Sequence, residues 1–301
     1  MPATRIIERP DHRADQTDRE AELRAHAHGM WAAVAGGWEQ HADNIDTRVA
    51  QVTEKMLELT KPKPGERVLE LACGPGGLGL EAAQRVGSAG AVVLSDVNAE
   101  MTSIAAARAD ALGLRNVSTR ELDLEQIEQP DASYDVVLCR EGLMFAPDPA
   151  RAAREIGRVL RPGGRVALSV WGPRECNPWL GVVFGAVRSQ LGKPGLPPGI
   201  PGVFALADSE ELARLLSEAE LTDVSIGELP VPLHAPSFED WWARTTALAA
   251  PLAQLLVSLP ADATQTLRAR VQEATSAYRT PAGGLEFPGL TLLATARRAG
   301  A

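Results

Sequence analysis

The stretch Val68-Leu69-Glu70-Leu71-Ala72-Cys73-Gly74-Pro75-Gly76-Gly77-Leu78-Gly79 constrains this chain more than any other. Val68 to Ala72 has the length and apolar character of a buried strand. Gly74-Pro75-Gly76-Gly77 stops it where only a tight turn fits, and Leu78 to Val86 continues as a helix-compatible run. Glycines at such a turn let backbone approach a ligand closely, and the next helix points its free N–H groups at that ligand. The order strand, glycine turn, helix makes a nucleotide cradle on an α/β sheet. Gly74, Gly76 and Gly79 satisfy G-x-G-x-x-G, and Asp96 ends the next apolar run, where a carboxylate can take ribose hydroxyls. The pattern leaves a dinucleotide and another adenosine cofactor both open. Glu70, four residues before Gly74, suits a ligand with a cationic end better than a pyrophosphate.

Strands are expected at 67–72, 91–96, 117–122, 134–139 and 165–170, with helices at 77–87, 99–112 and 149–160. This β-α alternation of continuous apolar runs predicts a doubly wound, Rossmann-like, mostly parallel sheet covered on both faces. Ahead of it, Met30, Trp31, Val34 and Trp38 recur at helical spacing over 21–41, interrupted by Gly36-Gly37. A second helix is expected over 46–59, ended by Lys61-Pro62-Lys63-Pro64-Gly65. After Trp171 the chain is rich in Gly and Pro, with a short apolar helix around Trp179 to Phe184. A helix at 208–219, a strand at 222–232, helices within 237–279 and a strand at 290–297 complete it. The last two strands pair as an antiparallel hairpin on the sheet edge, with 237–279 inserted between them as a cap. The expected division is a disordered 1–20, a helical lid over 21–62, a cofactor-binding core over 63–171, and cap helices with the sheet edge over 172–301.

Composition narrows the partners. A formal charge of −9 excludes the basic face that nucleic-acid binding needs. Cys73, Cys139 and Cys176 show no paired spacing and read as reduced thiols, which places the protein in the cytoplasm. The most apolar late run, 247–259, contains Pro251 and is too short to span a membrane. His26-x-His28 lacks a third ligand at suitable spacing, so no metal is expected.

Four motifs together resemble the class I S-adenosylmethionine (SAM)-dependent methyltransferases, most nearly the ubiquinone/menaquinone-biosynthesis type. They are Glu70-Leu71-Ala72-Cys73-Gly74-Pro75-Gly76-Gly77; Ser95-Asp96 with Asn98 and Met101; Leu122-Asp123-Leu124-Glu125 leading to Tyr134-Asp135-Val136-Val137-Leu138; and Glu155 to Leu160 followed by Arg161-Pro162-Gly163-Gly164-Arg165. They cover about residues 65–171. Cys73 stands where the family often has glycine. The resemblance implies SAM as cofactor and S-adenosylhomocysteine as product. It implies that Gly74 and Gly76 pass against the methionyl part, with Ala72 beside them, and that Glu70 supports the loop or meets the ammonium group. It further implies that Asp96 takes the ribose diol, and that Val97, Asn98 and Met101 flank the adenosine. Asp123 and Leu124 would meet adenine, and Arg140 would line the sulfonium.

Methyl transfer from a sulfonium needs orientation and desolvation, plus a general base when the acceptor is a phenol, enol or carbon acid. Candidates for that base are Glu141, which follows the fourth strand, His28 and His41, which flank the first helix, and His234. Trp31, Trp38, Trp171 and Trp241, with Trp179, Phe184 and Trp242, lie almost wholly outside the sheet. They fit a cap enclosing a hydrophobic, aromatic or quinone-like acceptor methylated at O, C or N. Two other readings stay open: an NAD(P)-dependent oxidoreductase, and a SAM-binding protein without methyl transfer. Cys73 and Cys139 bring thiol-dependent arsenite methylation to mind, but the cysteine pattern is not matched. A homodimer through the cap helices is a further expectation.

Overall fold

The structure is a computed structural model and describes residues 28–192 and 201–300. The expected disordered tail, His26 and the first part of the lid helix lie outside the described residues. Residues 28–32 are helical, and the chain continues through α1 (Ala35–Gln40), α2 (Ala42–Arg48) and α3 (Ala50–Thr60). The expected break at Gly36-Gly37 is absent. The helix is interrupted at residues 33–34 instead, and again at His41 and Val49. Gly37 lies within α1 for a packing reason. A Cβ there would stand 2.3 Å from the Ala247 backbone oxygen, so only glycine lets the two segments approach this closely.

The core alternates as expected: β1 (Arg67–Glu70), α4 (Gly77–Val86), β2 (Ala91–Asp96), α5 (Ala99–Ala111), β3 (Val117–Glu121), β4 (Tyr134–Arg140), α6 (Pro149–Val159) and β5 (Leu160–Trp171). Asn98 caps α5 by accepting from the Glu100 and Met101 amides, and Asp148 caps α6 with Pro149 in its first turn. The Arg161-Pro162-Gly163-Gly164 turn does not precede the fifth strand but is carried inside it. Leu160 pairs with Tyr134 and Arg165 with Val136, so four residues bulge out opposite Asp135 alone. Gly163 takes φ +75° in that bulge, and the Arg161 guanidinium closes it on both Asp135 oxygens at 2.8 and 2.9 Å.

The second half contains α7 (Pro178–Leu191), α8 (Ser209–Glu218), β6 (Leu221–Pro230), β7 (Leu233–Ala235), α9 (Phe238–Leu248), α10 (Ala250–Ser258), α11 (Ala261–Ala274), β8 (Leu285–Phe287) and β9 (Leu290–Arg298). The main sheet runs β3-β2-β1-β4-β5-β9-β6. β1 to β5 are parallel, while β9 is antiparallel to both β5 and β6. β7 and β8 form a separate two-stranded sheet and, with α9 to α11, make up the insertion between β6 and β9. Val68, Leu69, Val136, Val137, Leu138, Ala167 and Leu168 are buried on both faces of the central strands. Strand order reverses between β1 and β4, and an open α/β sheet binds its ligand in the crevice beyond the strand ends at that point. Ala72 and Glu141 mark those two ends.

Candidate active site

The glycine turn is held from two sides. Asp96, at the end of β2, accepts from the Gly74 amide through Oδ2 at 3.0 Å and from the Asn98 amide through Oδ1 at 3.1 Å. Each oxygen keeps further acceptor capacity, enough for a diol. Burial raises the Asp96 pKa, with the Gly74 and Asn98 amides opposing it. Glu70 accepts from the Gly79 amide in the first turn of α4 at 2.8 Å. Burial pushes its pKa up to about 8, against the nearby Arg140 charge. Gly76 has φ +86° and Gly74 φ +51°. At Gly74 a side chain would meet only the Trp38 ring, 3.9 Å away, so the turn is an open cradle. Gly79 serves packing instead: a Cβ there would lie 2.1 Å from Leu94 Cδ2 and 2.5 Å from Glu70 Oε2.

The N-terminal helices close over this turn. Asp46 of α2 pairs with Arg108 of α5 at 2.7 Å and with Arg140 at the end of β4 at 3.2 Å. Arg140 also donates to the Thr53 hydroxyl at 2.6 Å, and Arg108 to the Pro75 carbonyl at 2.8 Å. One carboxylate thereby ties the lid to both walls of the crevice. Trp38 donates its indole N–H to the Leu248 carbonyl at 3.2 Å, joining lid to cap.

Beneath the lid lies a cavity of about 560 Å³. Its lining includes Glu70, Ala72, Gly74, Asp96, Val97, Met101, Asp123, Leu124 and Arg140, the residues expected around a cofactor. Gly76 stands just behind the lining and shapes the turn. Asp123 folds its own loop, accepting from the Glu125 amide at 2.8 Å. The lining is also rich in aromatic side chains. Trp31 packs edge-on against Phe145, with centroids 4.9 Å apart, and Trp171 against Trp179 at 5.0 Å. Trp241 is buried against Phe238 and Phe287, and its indole nitrogen has no hydrogen-bond partner.

Glu141 lines the same cavity. It has φ +56°, a conformation rare outside glycine, and its amide donates to the Ser169 carbonyl at 2.8 Å. Burial lifts its pKa to about 7, with Arg48 and Arg140 opposing, and its Oε1 is buried without a partner. Arg48 also lines the cavity. The residue pattern gave no sign of it, because its surroundings are assembled from Trp171, Trp179 and Glu141, more than ninety residues away along the chain. Asp46 was hidden for the same reason.

His28 and His234 line the cavity, whereas His41 does not: it lies between α1 and α2 with its amide on the Gly37 carbonyl at 3.1 Å. His41 falls where two short helices meet, and the extra breaks turn it away from the crevice. Burial raises the Cys139 thiol to about 12 and the Cys73 thiol well above its ordinary value, so both are protonated, weak nucleophiles. Among the described residues no group of three metal-ligating side chains gathers.

Comparison with known proteins gives this geometry a family. The methyltransferase-domain family matches residues 62–178. Nocamycin O-methyltransferase of Saccharothrix syringae is 32% identical over 197 residues, covering 62% of this chain and 70% of that protein. The ubiquinone/menaquinone biosynthesis C-methyltransferase of Bdellovibrio bacteriovorus is 31% identical over 169 residues, covering 56% of this chain and 69% of that protein. Among solved structures, the YcgJ protein of Bacillus subtilis shares the fold with a TM-score of 0.57 at 19% identity, over 84% of this chain and 100% of that one. The chain belongs to the class I SAM-dependent methyltransferases. Its cofactor is SAM, and the dinucleotide reading of G-x-G-x-x-G is set aside. The donor set agrees: an open glycine cradle, buried carboxylates at the ends of β1 and β2, and the apolar Val97, Met101 and Leu124 suit a cationic adenosine compound.

Proposed function

We propose that the chain methylates a hydrophobic, planar small molecule at an oxygen or carbon that must lose a proton, and that Glu141 takes that proton. The observation that carries this reading is the Glu141 carboxylate: buried, raised to about 7, with an unpartnered oxygen on a cavity walled by Trp31, Trp171 and Trp241. A base with a pKa near the working pH combines a useful ionised fraction with useful driving force. The two relatives named above are an O- and a C-methyltransferase, and both kinds of acceptor lose a proton during transfer.

SAM supplies an electrophilic methyl group and a neutral thioether leaving group. The remaining tasks fall to the chain. Asp96 holds the ribose, Asp123 and Leu124 meet the adenine, and Glu70 with the Gly74 turn positions the methionyl end. His28, which lines the same cavity, is the second candidate base, and His41, off the cavity, drops out of the mechanism. The lid held by Asp46 and the tryptophan walls exclude water, so the cationic methyl donor and the ionised acceptor meet in a low-dielectric space. Every residue invoked lines or latches one cavity of one chain, and a homodimer plays no part in the reading. We place the enzyme in the cytoplasm, where its three thiols stay reduced. No helix among the described residues is long and apolar enough to cross a membrane.

The test is methyl transfer from labelled SAM to a panel of hydroxylated naphthoquinones and anthraquinones. Turnover in the wild type should rise with pH through about 7. Glu141→Gln should lower kcat by ~10²–10⁴-fold while leaving S-adenosylhomocysteine affinity intact. Full turnover in Glu141→Gln removes the base. Tight SAM binding with no transfer to any panel member would favour a SAM-binding protein without this activity.

A further inference from the structure

Arg48, the last residue of α2, is the least satisfied charge in the cavity. Its guanidinium carbon lies 4.9 Å from the Trp171 ring centroid and 4.5 Å from that of Trp179. Two indole rings thus fix its position. Its Nε and Nη2 are buried and have no hydrogen-bond partner. A guanidinium is planar and presents its N–H groups as a fork matched to a carboxylate. Here the rings set the plane and part of the fork is unused.

The neighbouring charges do not supply the missing partner. Arg140 is engaged by Asp46 and Thr53, and Arg244 by Asn44 and Asp240, with Arg244 Nε also left unpartnered. Glu141 is the carboxylate that acts on Arg48 through its charge, yet its Oε1 is as unpartnered as the Arg48 nitrogens. Burial lowers the Arg48 pKa to about 10, Glu141 opposing and Arg244 reinforcing, so the group stays cationic at neutral pH. A buried cation with unused donors is costly unless something negative arrives to meet it.

We infer that the acceptor carries an anionic oxygen group, of carboxylate or enolate type, and that Arg48 binds it against the Trp171–Trp179 wall. The inference rests on the acceptor reading above and narrows it from hydrophobic planar molecules to hydrophobic planar acids. The anion is a handle for orientation, and the proton taken by Glu141 comes from another position of the acceptor. Neutralising Arg48 also removes the charge that holds the Glu141 pKa down, so binding of the correct acceptor strengthens the base.

The experiment is calorimetric titration of the full chain, saturated with S-adenosylhomocysteine, with 2-naphthoate and with its uncharged isostere 2-naphthamide. The wild type is expected to bind naphthoate at least ~10-fold more tightly. Arg48→Met should erase that preference and leave the amide's affinity unchanged, with S-adenosylhomocysteine affinity serving as the check of the fold. Should Arg48→Met not fold, Arg48→Lys keeps the charge but loses the planar fork, and should retain only a few-fold preference. Equal affinity for the two compounds in the wild type, or a preference that survives Arg48→Met, overturns the inference while the acceptor reading stands. Binding of neither compound, with S-adenosylhomocysteine still bound, overturns both.

Discussion

Replacing Glu141 by glutamine should make this protein more stable at alkaline pH and leave it unchanged in mild acid. Burial raises the Glu141 pKa from the ordinary 4.5 to about 7. The folded protein therefore holds this proton more tightly than the unfolded chain does. The stability linked to it is complete below about pH 4.5 and is lost as pH rises through about 7. At about 1.4 kcal/mol per pH unit, the loss reaches roughly 3 kcal/mol once the folded group has ionised. Glutamine has the same shape and cannot ionise, so it escapes the loss. For a chain of this size, ~2 °C of melting temperature accompanies each kcal/mol. Thermal melts of wild type and Glu141→Gln should coincide at pH 4 and diverge by about 6 °C at pH 8.5, the variant melting higher. Parallel melting curves across that range would refute the reasoning. Glu141 would then be solvated in the folded state, and the basis for assigning it as the base would go with it.

Other perturbations test the rest of the site. Asp96→Ala removes the carboxylate that orders Gly74 and should weaken S-adenosylhomocysteine by ~10-fold or more, as a hydrogen bond to a charged group predicts; unchanged calorimetric affinity would sink the ribose assignment. Gly79→Ala drives a methyl group to 2.1 Å from Leu94 Cδ2. It should cost about 1–3 kcal/mol in denaturant unfolding, and an unshifted midpoint would mean that α4 has slack against the sheet. Asp46→Ala leaves Arg108 and Arg140 without their shared carboxylate. Amide hydrogen exchange in α2 should then speed up by ~10-fold or more while the central strands stay protected; uniform protection would show that the latch is not what holds the lid.

The parallel core was legible because its signals are local. A strand, a glycine turn and a helix lie within twenty residues, and Asp96 stands one strand on. The bounds of β2 agree with the expectation at both ends, and those of the other core elements to a residue or two, apart from the start of β5. What local signals missed depends on distant partners. Gly36-Gly37 looks like a helix breaker until Ala247 is seen pressed against it. The Arg161-Pro162-Gly163-Gly164 turn looks like the end of a helix, yet the strand hydrogen bonding resumes on either side of it because Asp135 anchors the bulge. Of the candidate bases, His41 was misplaced by helix breaks that leave little mark in composition. Arg48 was invisible because an arginine near a helix end is usually solvated, and only Trp171, Trp179 and Glu141 make it otherwise.

The position of β9 has a bearing on how the chain is made. β9 supplies the hydrogen-bonding edge for both β5 and β6, and it follows all the other described elements along the chain. During synthesis β6 is complete about sixty residues before β9 begins. At ~5–20 residues per second that gap lasts roughly 3–12 s. Through it, the ribosome-bound chain presents two open strand edges, one of them the wall that bears Ser169 and Trp171. Open edges recruit other strands. The insertion that caps the active site therefore also sets how long the nascent enzyme is exposed to mispairing, and truncation of the chain before Leu290 would leave that exposure permanent.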